Sequence, residues 1–299
     1  MTVAQHLLIV VDASAGTASG QPVGAAARLI EADAQHPQLS ILDVAATRGD
    51  GIFETISVGR GLPQAFEAHL DRFGRSARML DLPSPDLDLW RDAVLTLAQR
   101  LTDHDEAWVK TVLTRGVEGQ PQPTGWAYAT VSPDFRRERT EGISVVLLDR
   151  GLRSDVSATS PWLLAGAKTL SYAVNRAALR EAQRRAADDV IFVSSDGMLL
   201  EGPTSTLVVR RGDTLVTPPH AVGILPGTTQ ADLFSAADQW GLRTAVQPLV
   251  ADDVRDADAA WLVSSVRHAA PIRSVDDTAL AVDGDLTSAM NAFLQARRS

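Results

Sequence analysis

The residues able to do chemistry gather around a scarce one. Of 28 basic residues only Lys110 and Lys168 are lysine, so neither reads as generic surface charge. Lys168 lies in LLAGAKTLSYAVN, residues 163 to 175, behind an apolar run from Pro161 to Ala167 and just ahead of a helix. An amine held in apolar surroundings is desolvated, its pKa falls, and the neutral form can attack a carbonyl to make a Schiff base. The same segment also suits a lysine that lays its stem along a helix start and keeps its head in water.

Two further stretches carry chemistry of a complementary kind. In GILPGTTQADLF, residues 223 to 234, Gly223, Pro226 and Gly227 shape a loop that opens a helix at Thr228 and Thr229, with Thr229 and Asp232 at capping-box spacing. The amides and hydroxyls of a helix start form a natural phosphate site, although most such starts bind nothing. In LLEGPTSTLVV, residues 199 to 209, Glu201 sits among apolar residues before Gly202 and Pro203. A carboxylate there needs a partner, such as a protonated ring nitrogen, unless the loop simply leaves it in water.

Other chemistries have little support. The six histidines show no metal-ligand spacing, no GxSxG elbow or Walker loop occurs, and no GxGxxG follows a strand. The pairs Asp188/Asp189 and Asp252/Asp253 read as solvated caps. No metal is expected. A net charge of −9 without a Lys/Arg block argues against nucleic acid or an acidic membrane as partner. The absence of cysteine excludes disulfides and thiolate sites, and MTVAQHLLIVVDA has neither a basic flank nor an apolar run long enough for a signal or span. The expected place is the cytoplasm, and the expected partner a small-molecule substrate.

These residues need elements to hold them. HLLIVVDA, RGDGIFETISV, AWVKTVLTRG and GWAYATVS read as strands, and Ala13 to Ala27 as an irregular connection. EAHLDRFGRSARML and the stretch from Leu87 to Leu101 read as helices. SPDFRRERTEG, charged and without apolar periodicity, reads as a linker. Beyond it short strands dominate, with a hairpin in TLVVRRGDTLVTP turning at Gly212 and Asp213, and helices over about Ala173 to Ala187 and Gln230 to Trp240. The order suits an α+β chain of two domains: a small α/β domain over 1–131, an interdomain linker over 132–138 and a larger, mostly β domain over 139–299.

A lysine for an aldehyde, a loop for a phosphate and a carboxylate for a ring nitrogen are together what a pyridoxal phosphate site requires. The succession RGDGIFET, HLDRF, AKTLSYAVN, LEGPTSTL, GILPGTT and LVSSV, from about Ala46 to Pro271, resembles the fold-type IV pyridoxal phosphate enzymes: branched-chain and D-amino acid aminotransferases and 4-amino-4-deoxychorismate lyases. The resemblance implies a two-domain fold with a β-barrel-like core in the larger domain, pyridoxal 5'-phosphate as cofactor, and a homodimer. It implies Lys168 as catalytic lysine, Glu201 at the pyridine nitrogen, and Arg72, Ile224, Thr228, Ser264 and Ser265 around the phosphate. Thr55 and Arg115 are candidates for a substrate carboxylate.

Within the family the wording is mixed. Phe53 stands where D-amino acid aminotransferases have Tyr, no His follows Arg115-Gly116 as it does in them, and Ala173 replaces a Tyr of the branched-chain enzymes. LVSSVR takes the place of the aminotransferases' TG-type turn. The chain is most similar to actinobacterial aminodeoxychorismate lyases, which implies elimination of pyruvate to give 4-aminobenzoate for folate synthesis. The alternative is an aminotransferase for D-amino or branched-chain amino acids.

Overall fold

The computed structural model describes residues 6–12 and 28–297. The connection expected over Ala13 to Ala27 lies outside them. The described residues divide into two compact units, one made of those up to 133 with 167–172 and 297, the other of 134–166 and 173–296.

The first unit is built on an antiparallel sheet. Its strands are β1 (Leu7–Val11) and β2 (Leu29–Ala32), then, after helix α1 (Val44–Arg48), β3 (Gly51–Gly59) and β4 (Leu62–Pro63). Helices α2 (Phe66–Met79) and α3 (Leu87–Ala98) follow, and then β5 (Ala107–Thr114) and β6 (Thr124–Val131). The strand order is β2-β1-β6-β5-β3-β4. Side chains alternate across a strand, so Ile52, Ile56, Val109 and Leu113 are buried on one face. On the helices, Leu70, Phe73, Trp90 and Leu97 recur at helical spacing and are buried too. Phe73 and Trp90 meet edge to face at 5.0 Å, and Asp86 caps α3 through the Leu89 amide.

The second unit opens with α4 (Arg136–Thr140), inside the stretch expected to be a linker. Next come β7 (Ile143–Asp149), α5 (Val156–Thr159), α6 (Ala173–Arg184), β8 (Asp189–Val193), β9 (Thr206–Arg211) and β10 (Thr214–Thr217). The rest is α7 (Thr228–Ser235), β11 (Arg243–Val246), α8 (Ala251–Arg255), β12 (Ala259–Ser264), β13 (His268–Val275), β14 (Thr278–Ala279) and α9 (Gly284–Ala296). The sheet runs β11-β10-β9-β12-β13-β7-β8, with β14 on β13. The β9/β10 hairpin turns at Gly212 and Asp213 as expected. Three apolar clusters flank the sheet: Ile143, Leu207 and Leu262 in one, Leu233, Trp261 and Met290 beneath α7 and α9 in another, and Ala178 and Phe192 beneath α6 in the third.

Two local expectations fail here. The Thr229/Asp232 capping box does not form, because the helix expected from about Gln230 begins at Thr228 with Gly227 in the cap position and no side-chain cap. Asp189 is not a solvated cap: it is 1% exposed and pairs with Arg267 at 2.7 Å. Asp253 does act as a cap, accepting from the Val250 amide.

Candidate active site

Lys168 belongs to the first unit because of the backbone around it. The open edge of β3 needs hydrogen-bond partners and finds them in residues 168–170. The Phe53 amide donates to the Lys168 carbonyl at 3.1 Å, the Leu170 amide to the Gly51 carbonyl at 2.8 Å, and the Lys168 amide to Ser76 Oγ on α2 at 3.1 Å. This close approach accounts for the glycines of RGDG. A Cβ on Gly51 would lie 2.8 Å from both the Leu113 carbonyl oxygen and Leu170 Cδ1, and Gly49, at φ +69°, has Ser171 against it.

Strand alternation gives β3 two functional faces. On one, Phe53 carries Lys168 Nζ 4.5 Å from its ring centroid and Lys110 Nζ at 5.2 Å. Lys110, on β5, is the cross-strand neighbour of Thr55 and of Tyr128, and its ammonium also lies over the Trp108 and Tyr128 rings. Burial lowers the pKa of Lys110, and among the described residues it has neither a hydrogen bond nor a carboxylate partner. Among the described residues it is aromatic faces that stabilise its charge.

On the opposite face, adjacent Glu54 points toward α2. Its Oε1 accepts from Arg72 Nε at 2.7 Å and its Oε2 from Arg72 Nη2 at 2.7 Å and from His69 Nδ1 at 2.8 Å. All three side chains are buried. Burial would raise the Glu54 carboxyl, but the Arg72 charge and the hydrogen bonds from Arg72 and His69 outweigh it and hold the group well below the usual carboxylate range. Burial lowers His69, only partly opposed by Glu54, so His69 stands neutral with its Nδ1–H donating to the ionised carboxylate. No expectation from sequence included His69 or Glu54. The i,i+3 spacing of His69 and Arg72 in HLDRF was the available signal.

Arg115 is already engaged. Its Nε and Nη2 donate to Asp50, and Nη1 and Nη2 to the carbonyls of Asp81 and Leu80 at the end of α2. Those bonds tie the RGDG turn to the helix, and Lys110 rather than Arg115 offers an unpaired cation beside Thr55.

The second unit supplies the other candidates. Glu201, half-buried, accepts from the Leu225 amide at 3.1 Å, which ties it to the loop carrying Ile224 and leading to Thr228. Thr229, in the first turn of α7, is 2% exposed, and its hydroxyl has no partner among the described residues. Gly227 is required by closeness, since a Cβ there would sit on Thr206 Oγ1. Asn175, at the start of α6, donates to the Pro203 carbonyl just past Glu201. Ser264 ends β12, and Ser265, Val266 and Arg267 form the turn into β13. No group of three or more residues suited to a metal occurs among the described residues, nor does any helix there have the length and apolarity to cross a membrane.

The chain is 47% identical over 252 residues, 80% of its length and 86% of the relative's, to a Mycobacterium tuberculosis protein named bifunctional aminodeoxychorismate lyase / D-amino acid transaminase. It superposes on the fold IV transaminase CpuTA1 of Curtobacterium pusillum with a TM-score of 0.92 and 51% identity, covering 98% of this chain and 100% of that one. A hypothetical aminotransferase from Mycobacterium tuberculosis, solved in a pyridoxal phosphate-bound form, matches with a TM-score of 0.87 and 38% identity over 97% of this chain and 98% of that one. The architecture is therefore the two-domain α+β fold of the fold-type IV enzymes. Residues 51–275 match the family described as amino-transferase class IV, and the chain belongs to it.

Proposed function

We propose that this enzyme uses pyridoxal 5'-phosphate as a 4-amino-4-deoxychorismate lyase, eliminating pyruvate to leave 4-aminobenzoate for folate synthesis. The observation that carries the reading is the pair of ammonium groups over the Phe53 ring. One belongs to the candidate catalytic lysine. The other, without a carboxylate partner among the described residues, suits a substrate that brings carboxylates with it, as aminodeoxychorismate does.

The residues present fit the cofactor. The start of α7, without a side-chain cap and with the buried hydroxyl of Thr229 unpartnered among the described residues, suits a phosphate, and a half-buried carboxylate fixed by a backbone amide suits a protonated ring nitrogen. Arg72, Ile224, Thr228, Ser264 and Ser265 would hold the phosphate, Glu201 the pyridine nitrogen and Lys168 the aldehyde carbon. When bound, the cofactor accepts the electrons left behind as a proton leaves the carbon bearing the substrate amine.

The chain's own residues do the rest. A neutral Lys168 amine takes the proton from C4. The neighbouring C–O bond breaks, pyruvate departs as its enolate with the electron pair of that bond, the Lys168 ammonium returns the proton to the enolate, and the remaining ring becomes aromatic. Thr55 and Lys110 would hold a substrate carboxylate, while Arg115 keeps the RGDG turn in place.

A second reading is a transaminase for D-amino or branched-chain amino acids. It is supported by the double name of the mycobacterial relative and by the likeness to the Curtobacterium fold IV transaminase. Under either reading the enzyme works in the cytoplasm on small molecules as a homodimer. Incubation with aminodeoxychorismate should yield 4-aminobenzoate. If D-alanine or leucine instead converts the cofactor to pyridoxamine phosphate and aminodeoxychorismate is left intact, the transaminase reading stands and the lyase reading falls.

A further inference from the structure

The turn between β12 and β13 is held by more buried polar chemistry than a hairpin turn needs. Ser264 pairs with His268 across three turn residues, and His268, 3% exposed, sits at φ +63°, a left-handed conformation that a three-residue hairpin normally gives to Gly or Asn. Such a backbone persists only where the surroundings impose it.

Three elements impose it here. From α4, Arg139, 8% exposed, donates Nε to the Arg267 carbonyl at 2.8 Å and Nη2 to the Val266 carbonyl at 3.1 Å. At the start of β8, Asp189 takes Arg267 Nη2 at 2.7 Å and is itself held by the Val190 amide. From α9, Asn291 accepts from the Ala269 amide and donates to the Ala269 carbonyl. Because a trans peptide points its N–H opposite its C=O, fixing the carbonyls of Val266 and Arg267 toward Arg139 also fixes the amides of Arg267 and His268 on the other side.

We infer that Arg139 and Asp189 are positioning residues: through the Val266 and Arg267 carbonyls and the Arg267 guanidinium they hold the Ser264–His268 turn in the one shape that binds a phosphate. The inference rests on Ser264 and Ser265 as phosphate contacts, proposed above. Charge-assisted bonds to consecutive carbonyls act as a clamp, and the clamp replaces the conformational freedom that a glycine at 268 would have supplied.

The test compares affinity for pyridoxal 5'-phosphate with affinity for pyridoxal, which lacks the phosphate, by absorbance titration of wild type, Arg139→Gln, Arg139→Lys and Asp189→Asn. Wild type should prefer the phosphate ester strongly. Arg139→Gln and Asp189→Asn should lose about tenfold or more of that preference with pyridoxal affinity unchanged, as expected for loss of a charge-assisted contact, and Arg139→Lys, which keeps a donor but not the fork, should fall between. If Arg139→Gln fails to fold, Arg139→Lys decides. A folded variant that keeps the wild-type preference overturns the clamp, as does equal loss of affinity for both ligands. No preference in wild type refutes the phosphate contacts themselves and is recognisable as that separate failure.

Discussion

Arg72 and Glu54 form a two-pronged ion pair at 2.7 Å on each prong, with both side chains buried and His69 completing the cluster. A pair so placed is coupled to stability as well as to any role in phosphate binding. Removing one member strands the other charge out of water, at a cost of about 3–5 kcal/mol. Arg72→Ala should therefore lower the free energy of unfolding by that amount in urea titrations. Exchange of the pair for apolar residues, Arg72→Met with Glu54→Leu, should cost much less while still weakening cofactor binding. Equal losses in the single and double variants would show that the charge left behind is not what destabilises.

The same cluster sets a pH dependence. The folded-state pKa of His69 lies below its ordinary value of about 6.5, so the folded protein takes up that proton less readily than the unfolded chain. The stabilisation is complete above about pH 6.5 and is lost as pH falls from there through the folded-state pKa. Glu54, also depressed, adds a second loss below the usual carboxylate range. Unfolding free energies measured from pH 8 down to pH 5 should decline, and His69→Gln should flatten the decline. A parallel slope in that variant would assign it to other groups.

Lys110 should affect substrate far more than fold. Its ammonium is half-buried with aromatic rings as its only partners among the described residues, so an isosteric neutral side chain gives up little in the free protein. Lys110→Met should leave the melting temperature unchanged or raised. It should reduce kcat/KM for a substrate carrying a second carboxylate by about ten- to hundredfold, the loss of one charge-assisted contact of about 1.5–3 kcal/mol, with little effect on a monocarboxylate. Equal effects on both substrates would remove the carboxylate role.

How much of this was legible depends on whether the relevant contact is local. RGDGIFET, HLDRF and AKTLSYAVN announced a strand, a helix and a lysine because each motif's period or punctuation is local, and those elements stand where the residues indicated. The Glu54–His69–Arg72 cluster was hidden because it joins a strand face to a helix face 15 and 18 residues away. Lys110 was visible only as a rare residue. Its meaning lies in sheet register, which sets Thr55 and Tyr128 beside it. Asp189 looked like half of a solvated pair because nothing near it in sequence shows that Arg267 comes to meet it.

The return of residues 167–172 to the first unit is the least legible feature, and it is also testable. It exists because the amide and carbonyl groups at the start of β3 accept that segment as a short pairing partner, and Gly51 leaves it room. Gly51→Ala would place a methyl group 2.8 Å from the Leu113 carbonyl oxygen, which cannot rotate away, and from Leu170 Cδ1. The segment must then shift, and Lys168 with it. The expected result is a destabilisation of about 1–3 kcal/mol, typical of overpacking, with slower reaction of Lys168 toward added pyridoxal phosphate, followed by the rise of the visible band. Leu170→Ala added to Gly51→Ala relieves one of the two contacts and should recover part of the rate. If Gly51→Ala reacts as fast as wild type, the pairing with β3 is not what positions the lysine.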